Sequence, residues 1–447
     1  MKLHYYKKAI MLKKPSLSFW QILNMNVGFF GIQYSFGLQQ SAVTPIYDFL
    51  GASPDQIPIL HLAGPVTGLL VQPIIGALSD KTWSPKFGRR KPYFLIGAIL
   101  CSLTLLAFPF SSSLWMAAGL LWILDAGNNT AMEPYRALIA DKLDTEQQPL
   151  GFQMQSFFTG LGQVLANLSI FIFPLIFLGQ IGLGGTGTLP TWVYYSFFLG
   201  AFCSIASILW SISKTKEIPP TEEELAQLRS EKRSVLGPLI EIFSAIKDMP
   251  KVMWQLALVY FFQWYALFCY WQNSSKSVAL SVWNATPDNK EAYSEAVGWT
   301  GLVNGWYNVV TFLVAFALVG FAKRYSAKKV HAFCLILAAV GFLAFPHIEN
   351  KHMLLFAITG FGIGWASMMG IPYLMVVSDI PKERYGVYMG IINMMIVIPM
   401  IIQTLSFGYI LKNFLSNDPR NAITFAGVLL VISAIFTLFI KSKKEIK

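Results

Sequence analysis

Charge is what this chain has least of. Only 13% of its 447 residues are Asp, Glu, Lys or Arg, against ~25% in a soluble domain, so an ordinary water-facing surface is excluded. Histidine (5) and cysteine (4) are sparse as well. Cys101, Cys203, Cys269 and Cys334 each fall in a different apolar run, without metal or redox spacing, and read as buried, inert thiols. No Walker-type phosphate loop is present, so no nucleotide is the energy source. The apolar runs hold neither a His/Asp/Glu metal cluster nor a Ser–His pairing, which leaves a membrane enzyme without reactive groups. No cofactor is expected. No cleavable leader is expected, because the basic N-terminus enters its first apolar run near Phe19 without a small-residue cleavage site, and that run reads as a retained first span. Met11, ahead of Lys13 and Lys14, offers a second translation start.

What remains is apolar: 55% hydrophobic residues, 35 Phe and a mean hydropathy of +0.52. Runs of about twenty residues, broken by Gly, Pro and charge, predict an all-α polytopic membrane protein of twelve spans. They lie near 19–43, 57–79, 93–111, 114–140, 152–178 and 191–213, then 251–273, 298–321, 330–347, 353–378, 386–411 and 421–440. With the N-terminus inside, the cytoplasmic segments carry 28 of the 34 Lys and Arg. The opposite side carries Lys276, Lys290, Lys351, Lys412 and Arg420, and Arg136 lies within a span. The positive-inside rule therefore puts both termini in the cytoplasm. The net charge of +11 is spread over short loops, so it does not indicate nucleic acid. Compact tails point to a prokaryotic inner membrane, and no obligate protein partner is evident.

The longest polar stretch divides the chain into residues 1–213, a cytoplasmic linker at 214–250 and residues 251–447. After Pro219 and Pro220, the run Thr221-Glu-Glu-Glu224 reads as a capping box opening an amphipathic surface helix. An internal echo supports two halves: Pro134, Tyr135 and Asp141 recur as Pro372, Tyr373 and Asp379, each ending a span at the same side. Parallel six-span repeats of this kind make a substrate cleft between the halves near the midplane. The counterparts of Asp125, Asn129, Glu133 and Arg136 are Ile363, Ser367, Ile371 and Leu374. Charge chemistry thus belongs to the first half.

The most informative run is Trp122 to Asp141, in the fourth span. A charge at bilayer depth costs at least ~2.5–3.5 kcal/mol, so such residues face protein or a watery cavity. Asp125 and Arg136 share an azimuth, with Asn129 and Met132 between them, but stand roughly 16 Å apart along the axis. They are no simple ion pair. Burial disfavours a carboxylate's charge and water or a cation favours it, so an acid in a cavity that opens and closes can load and release a proton. Arg136 either balances Asp125 through water or holds Asp141 at the cytoplasmic end. The plainer alternatives are a structural hydrogen bond for Asp125 and a helix-surface pair of Arg136 with Glu133, three residues away. Between spans two and three, Gly76, Asp80, Gly88, Arg89 and Arg90 read as a cytoplasmic latch of small residues and hydrogen-bonded charge. Arg89, Arg90 and Lys91 serve topology alone in the simpler reading.

The Gly76…Asp80…Gly88-Arg89-Arg90 arrangement resembles the loop signature of major facilitator transporters, with a longer gap between Asp80 and Gly88. Further stretches resemble the glycoside transporter branch of that group, which contains plant sucrose–proton symporters with animal and bacterial relatives. They are Gly31-Ile-Gln33, Gly37-Leu-Gln39, Thr44-Pro45, Gly64-Pro65 and Gln72-Pro73, followed by Asp125, Asn128-Asn129 and Pro134-Tyr-Arg136. The match covers most of residues 28–141. The resemblance implies that Asp125 is the proton-coupling, sugar-contacting acid and that Arg136 is needed for coupled transport. Plant members also carry acids late in span seven, where this chain reads Trp264 to Gln272 with none.

Sugar hydroxyls ask for amides and carboxylates, and the C–H face of a pyranose asks for aromatic rings. Gln33, Gln39, Gln72, Asn129 and Gln163 supply the first, and Trp264, Tyr270 and Trp271 the second. Trp and Tyr also populate interfacial belts, and His61 near the end of span two reads as structural. The expectation is proton-coupled import of an α-glucoside disaccharide such as maltose or sucrose across the bilayer. Sodium coupling, another small solute and a non-transporting sugar sensor are the alternatives.

Overall fold

A computed structural model of the chain describes residues 16–80, 82–144, 146–177, 189–222, 246–376 and 385–441. Twelve long helices occur among them, one for each expected span. The first six are α1 (Phe19–Phe49), α2 (Ala63–Asp80), α3 (Lys91–Ala107), α4 (Leu114–Lys142), α5 (Gln148–Ile176) and α6 (Thr191–Lys214). The second six are α7 (Lys251–Trp283), α8 (Lys290–Tyr325), α9 (Ala327–Ala344), α10 (Met353–Val376), α11 (Tyr385–Phe414) and α12 (Pro419–Leu438). Nine helices are long and apolar enough to cross a membrane among the described residues. α1, α4 and α8 are not counted there; α1 and α4 carry the Gln, Asn and Asp residues of the candidate site. Large apolar side chains point outward, Trp115, Phe202 and Phe356 among them, as a lipid-facing surface requires.

Two expected boundaries shift for local reasons. Span two is split: a short turn of helix at Ile57–Leu60 precedes α2, whose start is set by Gly64 and Pro65. Span seven runs ten residues past its expected end. Asn273-Ser-Ser-Lys276-Ser277 ended the apolar run, yet these residues are buried in α7, which stops only at Asn284 in the left-handed conformation. Lys276, expected in an outer loop, is therefore inside a helix. The surface helix expected after Thr221 falls on residues 223–245, outside the described residues, as does Asp379 of the echo.

In the first half, α1 packs on α4, α5 and α6, while α3 lies on α4 and α6. In the second, α7 packs on α11 and α12, and α9 on α10 and α12. The halves join through α5 with α8, α2 with α11, and α1 with α7 and α8. Chain direction gives a terminal face, where α1 begins and α12 ends, and a distal face opposite. Contacts between the halves gather toward the distal face, where Ala279, Tyr293, Ala296 and Val297 of the second half enter the core of the first. Phe49 meets Tyr293 edge-on at 5.4 Å. Toward the terminal face the polar stripe of α4 gains exposure, from Asp125 at 3% to the Arg136 side chain at 48%.

The α5–α8 seam depends on a missing side chain. A Cβ on Gly301 would lie 2.8 Å from the Asn167 carbonyl oxygen and 3.2 Å from Ile170 Cβ. Gly301→Leu is expected to destabilise the fold by about 1–3 kcal/mol through overpacking. Gly119→Leu on the exposed side of α4, where a Cβ meets nothing within 4 Å, should stay within about 0.5 kcal/mol. Unfolding in detergent followed by tryptophan fluorescence checks both.

Candidate substrate and proton site

Asp125 sits in the middle of α4, buried, and an amide answers it: Gln39 Nε2 on α1 donates to its Oδ1 at 2.9 Å. Gly64 at the start of α2 leaves room beside the carboxylate, since its Cβ would stop 3.6 Å from Oδ2. One helical turn on, Asn129 faces the same way. Its Nδ2 donates to Thr67 Oγ1 (3.0 Å) and to the Asp125 carbonyl (2.9 Å), and its Oδ1 accepts from Gln72 at 2.6 Å. Three helices thus meet at one polar node. Asn128, on the next face round, bonds Ser35 at 2.9 Å and ties α4 to α1.

Arg136 is far from this node. Its Nη1 lies 3.8 Å from Glu133 Oε2, and both side chains are more than a third exposed, so this is the helix-surface pair of i,i+3 spacing. Asp141, one of the partners considered for Arg136, is held by Arg90 instead, Nε to Oδ2 at 2.7 Å. A second polar chain begins at Gln33, whose Oε1 accepts from Gln163 at 3.2 Å. Asn167, a turn beyond Gln163, accepts from Ser41 at 2.7 Å. Ser41 in turn accepts from Asn304 of α8 at 3.0 Å, and Asn304 accepts from the Tyr270 hydroxyl at 2.8 Å. Ser41, Asn167 and Asn304 escaped the sequence reading. An asparagine inside an apolar run was the available signal.

The aromatic candidates separate. Trp264 and Trp271 both meet Trp365 of α10 edge-on, with centroids at 5.8 and 5.6 Å. Trp365 was not anticipated, because span ten reads as plain apolar helix. The Tyr270 ring is stacked on Phe342 at 4.6 Å and packed by Phe361, so its faces are covered and its hydroxyl is its polar contribution. His61 bonds Thr44 at 2.9 Å and abuts Tyr47, a structural role.

At the terminal face the expected loop residues meet the linker. Arg90 is buried, and its Nη1 reaches Ser79 Oγ at 2.6 Å while its Nε holds Asp141. The Glu217 carboxylate accepts from the backbone N–H groups of Arg89, Arg90 and Lys91 at 2.8–3.1 Å, capping the N-terminus of α3. Gly88 makes this approach possible: its φ is +81°, and a Cβ would fall 2.6 Å from the Glu217 carboxyl carbon. Gly76 faces Glu133, with a Cβ 3.5 Å from its Cγ. The Asp80 side chain lies outside the described set.

The family model of the Major Facilitator Superfamily matches residues 25–404 and 278–447. The sucrose transport protein SUT5 of Oryza sativa subsp. indica is 22% identical over 448 residues, covering 85% of this chain and 79% of that protein. The general alpha-glucoside permease of Schizosaccharomyces pombe is 27% identical over 286 residues, covering 57% of this chain and 47% of that protein. Among solved structures, a D-xylose-proton symporter superposes with a TM-score of 0.66 at 15% identity, over 96% of this chain and 100% of that one. That last likeness is one of fold.

Arg90→Met and Asp141→Asn should each lower stability by about 1–2 kcal/mol, since each strands a partner that was hydrogen-bonded. A double-mutant cycle by unfolding in detergent should return a coupling of about 1 kcal/mol. Strict additivity of the two losses would deny the pair.

Proposed function

The chain belongs to the Major Facilitator Superfamily, and from that premise we propose that it is a secondary transporter importing an α-glucoside disaccharide, such as maltose or sucrose, together with a proton. The observation that carries this reading is the setting of Asp125. A carboxylate at mid-span is answered by a neutral amide, with Gln72, Asn129 and Thr67 continuing the polar surface. A carboxyl without a fixed cation can be charged or neutral as the cavity changes sides, and neutral amides beside it are hydroxyl binders. The similarity to a sucrose transport protein and an alpha-glucoside permease supports the substrate class.

In this reading a proton from outside neutralises Asp125, and the sugar binds against Gln39, Gln72, Asn129 and the Gln33–Gln163 pair. The Trp264–Trp365–Trp271 cluster offers aromatic surface from the other half. The halves then rock, and sugar and proton leave on the other side. The terminal face is cytoplasmic by the excess of Lys and Arg there, in a bacterial inner membrane. Arg136, half-exposed near the terminal end of α4, lies on the exit route for the proton. Gly76, Gly88, Arg89, Arg90 and Asp141, with Asp80, make the cytoplasmic gate.

Uptake of radiolabelled maltose and sucrose into proteoliposomes tests this. With one proton per sugar, a step of one pH unit, acid outside, supports up to about tenfold accumulation, the proton and sugar gradients each being worth about 1.36 kcal/mol. Asp125→Asn should bring that ratio to unity while keeping sugar counterflow. Counterflow by the unsubstituted protein should weaken as pH rises, because the protonated carboxyl is the binding form, and that of the variant should stay flat. Full gradient-driven accumulation by Asp125→Asn, or accumulation driven by a sodium step alone, refutes the assignment.

A further inference from the structure

A second buried carboxylate lies near the distal end of α1, nine residues beyond the Gln39 that meets Asp125. Asp48 has a fully buried side chain, and its Oδ1 lies 2.5 Å from Lys276 Nζ of α7, itself 6% exposed. The Tyr293 hydroxyl of α8 donates to its other oxygen. The acid belongs to the first half and both partners to the second. Ala279 and Ala296, each three residues from one of those partners, complete the seal in the apolar core of the first half.

We propose that Asp48, Lys276 and Tyr293 form a charge-locked gate at the distal face, broken each time that face opens, and that it sets how far the closed state is favoured. The inference deepens the transport reading above and rests on its alternating cleft. Its physical basis is an asymmetry of buried ion pairs. Removing one partner strands a charge in a dry site, whereas replacing both by neutral groups of similar shape leaves none. A stranded Lys276 or Asp48 regains water only if the halves part at this end. The Tyr293 hydroxyl fixes the acid's second oxygen, so the lock takes three helices rather than two.

The test needs neither sugar nor gradient, so its failure is distinct from failure of the transport assignment. Ala296→Cys places a thiol in the sealed interface. Its labelling by a membrane-impermeant maleimide in detergent, against the same chain without that substitution, reports opening. Asp48→Asn and Lys276→Met should each label about tenfold faster or more, and the double variant should return to near the starting rate. Tyr293→Phe, which removes one oxygen and no charge, should give about a threefold increase. It keeps the question open to refutation where a single-charge variant does not fold. Single variants that fold but label at the starting rate, a double variant as fast as the singles, or an unchanged rate in Tyr293→Phe would overturn the gate.

Discussion

A chain that crosses a bilayer a dozen times can keep polar side chains inside only where other side chains answer them. Here that constraint organises the contact between helices. Asn129 is satisfied by Thr67 and Gln72 of α2, Asp125 by Gln39 of α1, and Asn167 by Ser41. Each bond fixes one helix relative to another, so the polar residues that make a cavity useful also hold the bundle in register. The apolar faces turned to lipid contribute little of this specificity, because lipid tails are as apolar as the residues they touch.

The same constraint explains how the halves meet. At the distal end the seam is dry and close, with Gly301 against the α5 backbone and an ion pair shut away from water. At the terminal end charge is solvated: Arg136 and Glu133 are half-exposed, and Glu217 of the linker is bonded to the start of α3 in the first half. One end of the cleft is held by interactions that need exclusion of water, the other by interactions that tolerate it. Rocking between two such ends exchanges one kind of contact for the other.

Hydropathy made the spans legible, because a twenty-residue apolar run has few other uses. It failed at α7, where Asn273 to Ser277 read as a loop and are a buried stretch of helix whose Lys276 reaches Asp48 of the other half. Polar residues that bury against each other look like solvent-exposed ones in a one-dimensional scan. Asp125 stood out because a carboxylate in mid-span is costly, and it is buried there against Gln39, whereas Arg136, which shares its azimuth, lies exposed beside Glu133. Arg90 as the partner of Asp141 was not legible, since that choice depends on how a loop folds back over a helix end. Trp365 was hidden for the opposite reason: tryptophan is common in spans, and only its contact with both Trp264 and Trp271 marks it.

The two buried carboxylates differ in what answers them, and in the proposed reading that difference suits them to different work. Asp125 is met by an amide, which donates one hydrogen bond and carries no charge. Neutralising it leaves no unpaired ion behind, so its protonation can follow the side to which the cavity opens. Asp48 is met by Lys276, and neutralising it would strand a cation in the driest part of the seam. Its charge is therefore tied to the seam being closed. A proton carrier and a lock need opposite arrangements of the same functional group, and an uncharged partner versus a cationic one is the smallest change that separates them.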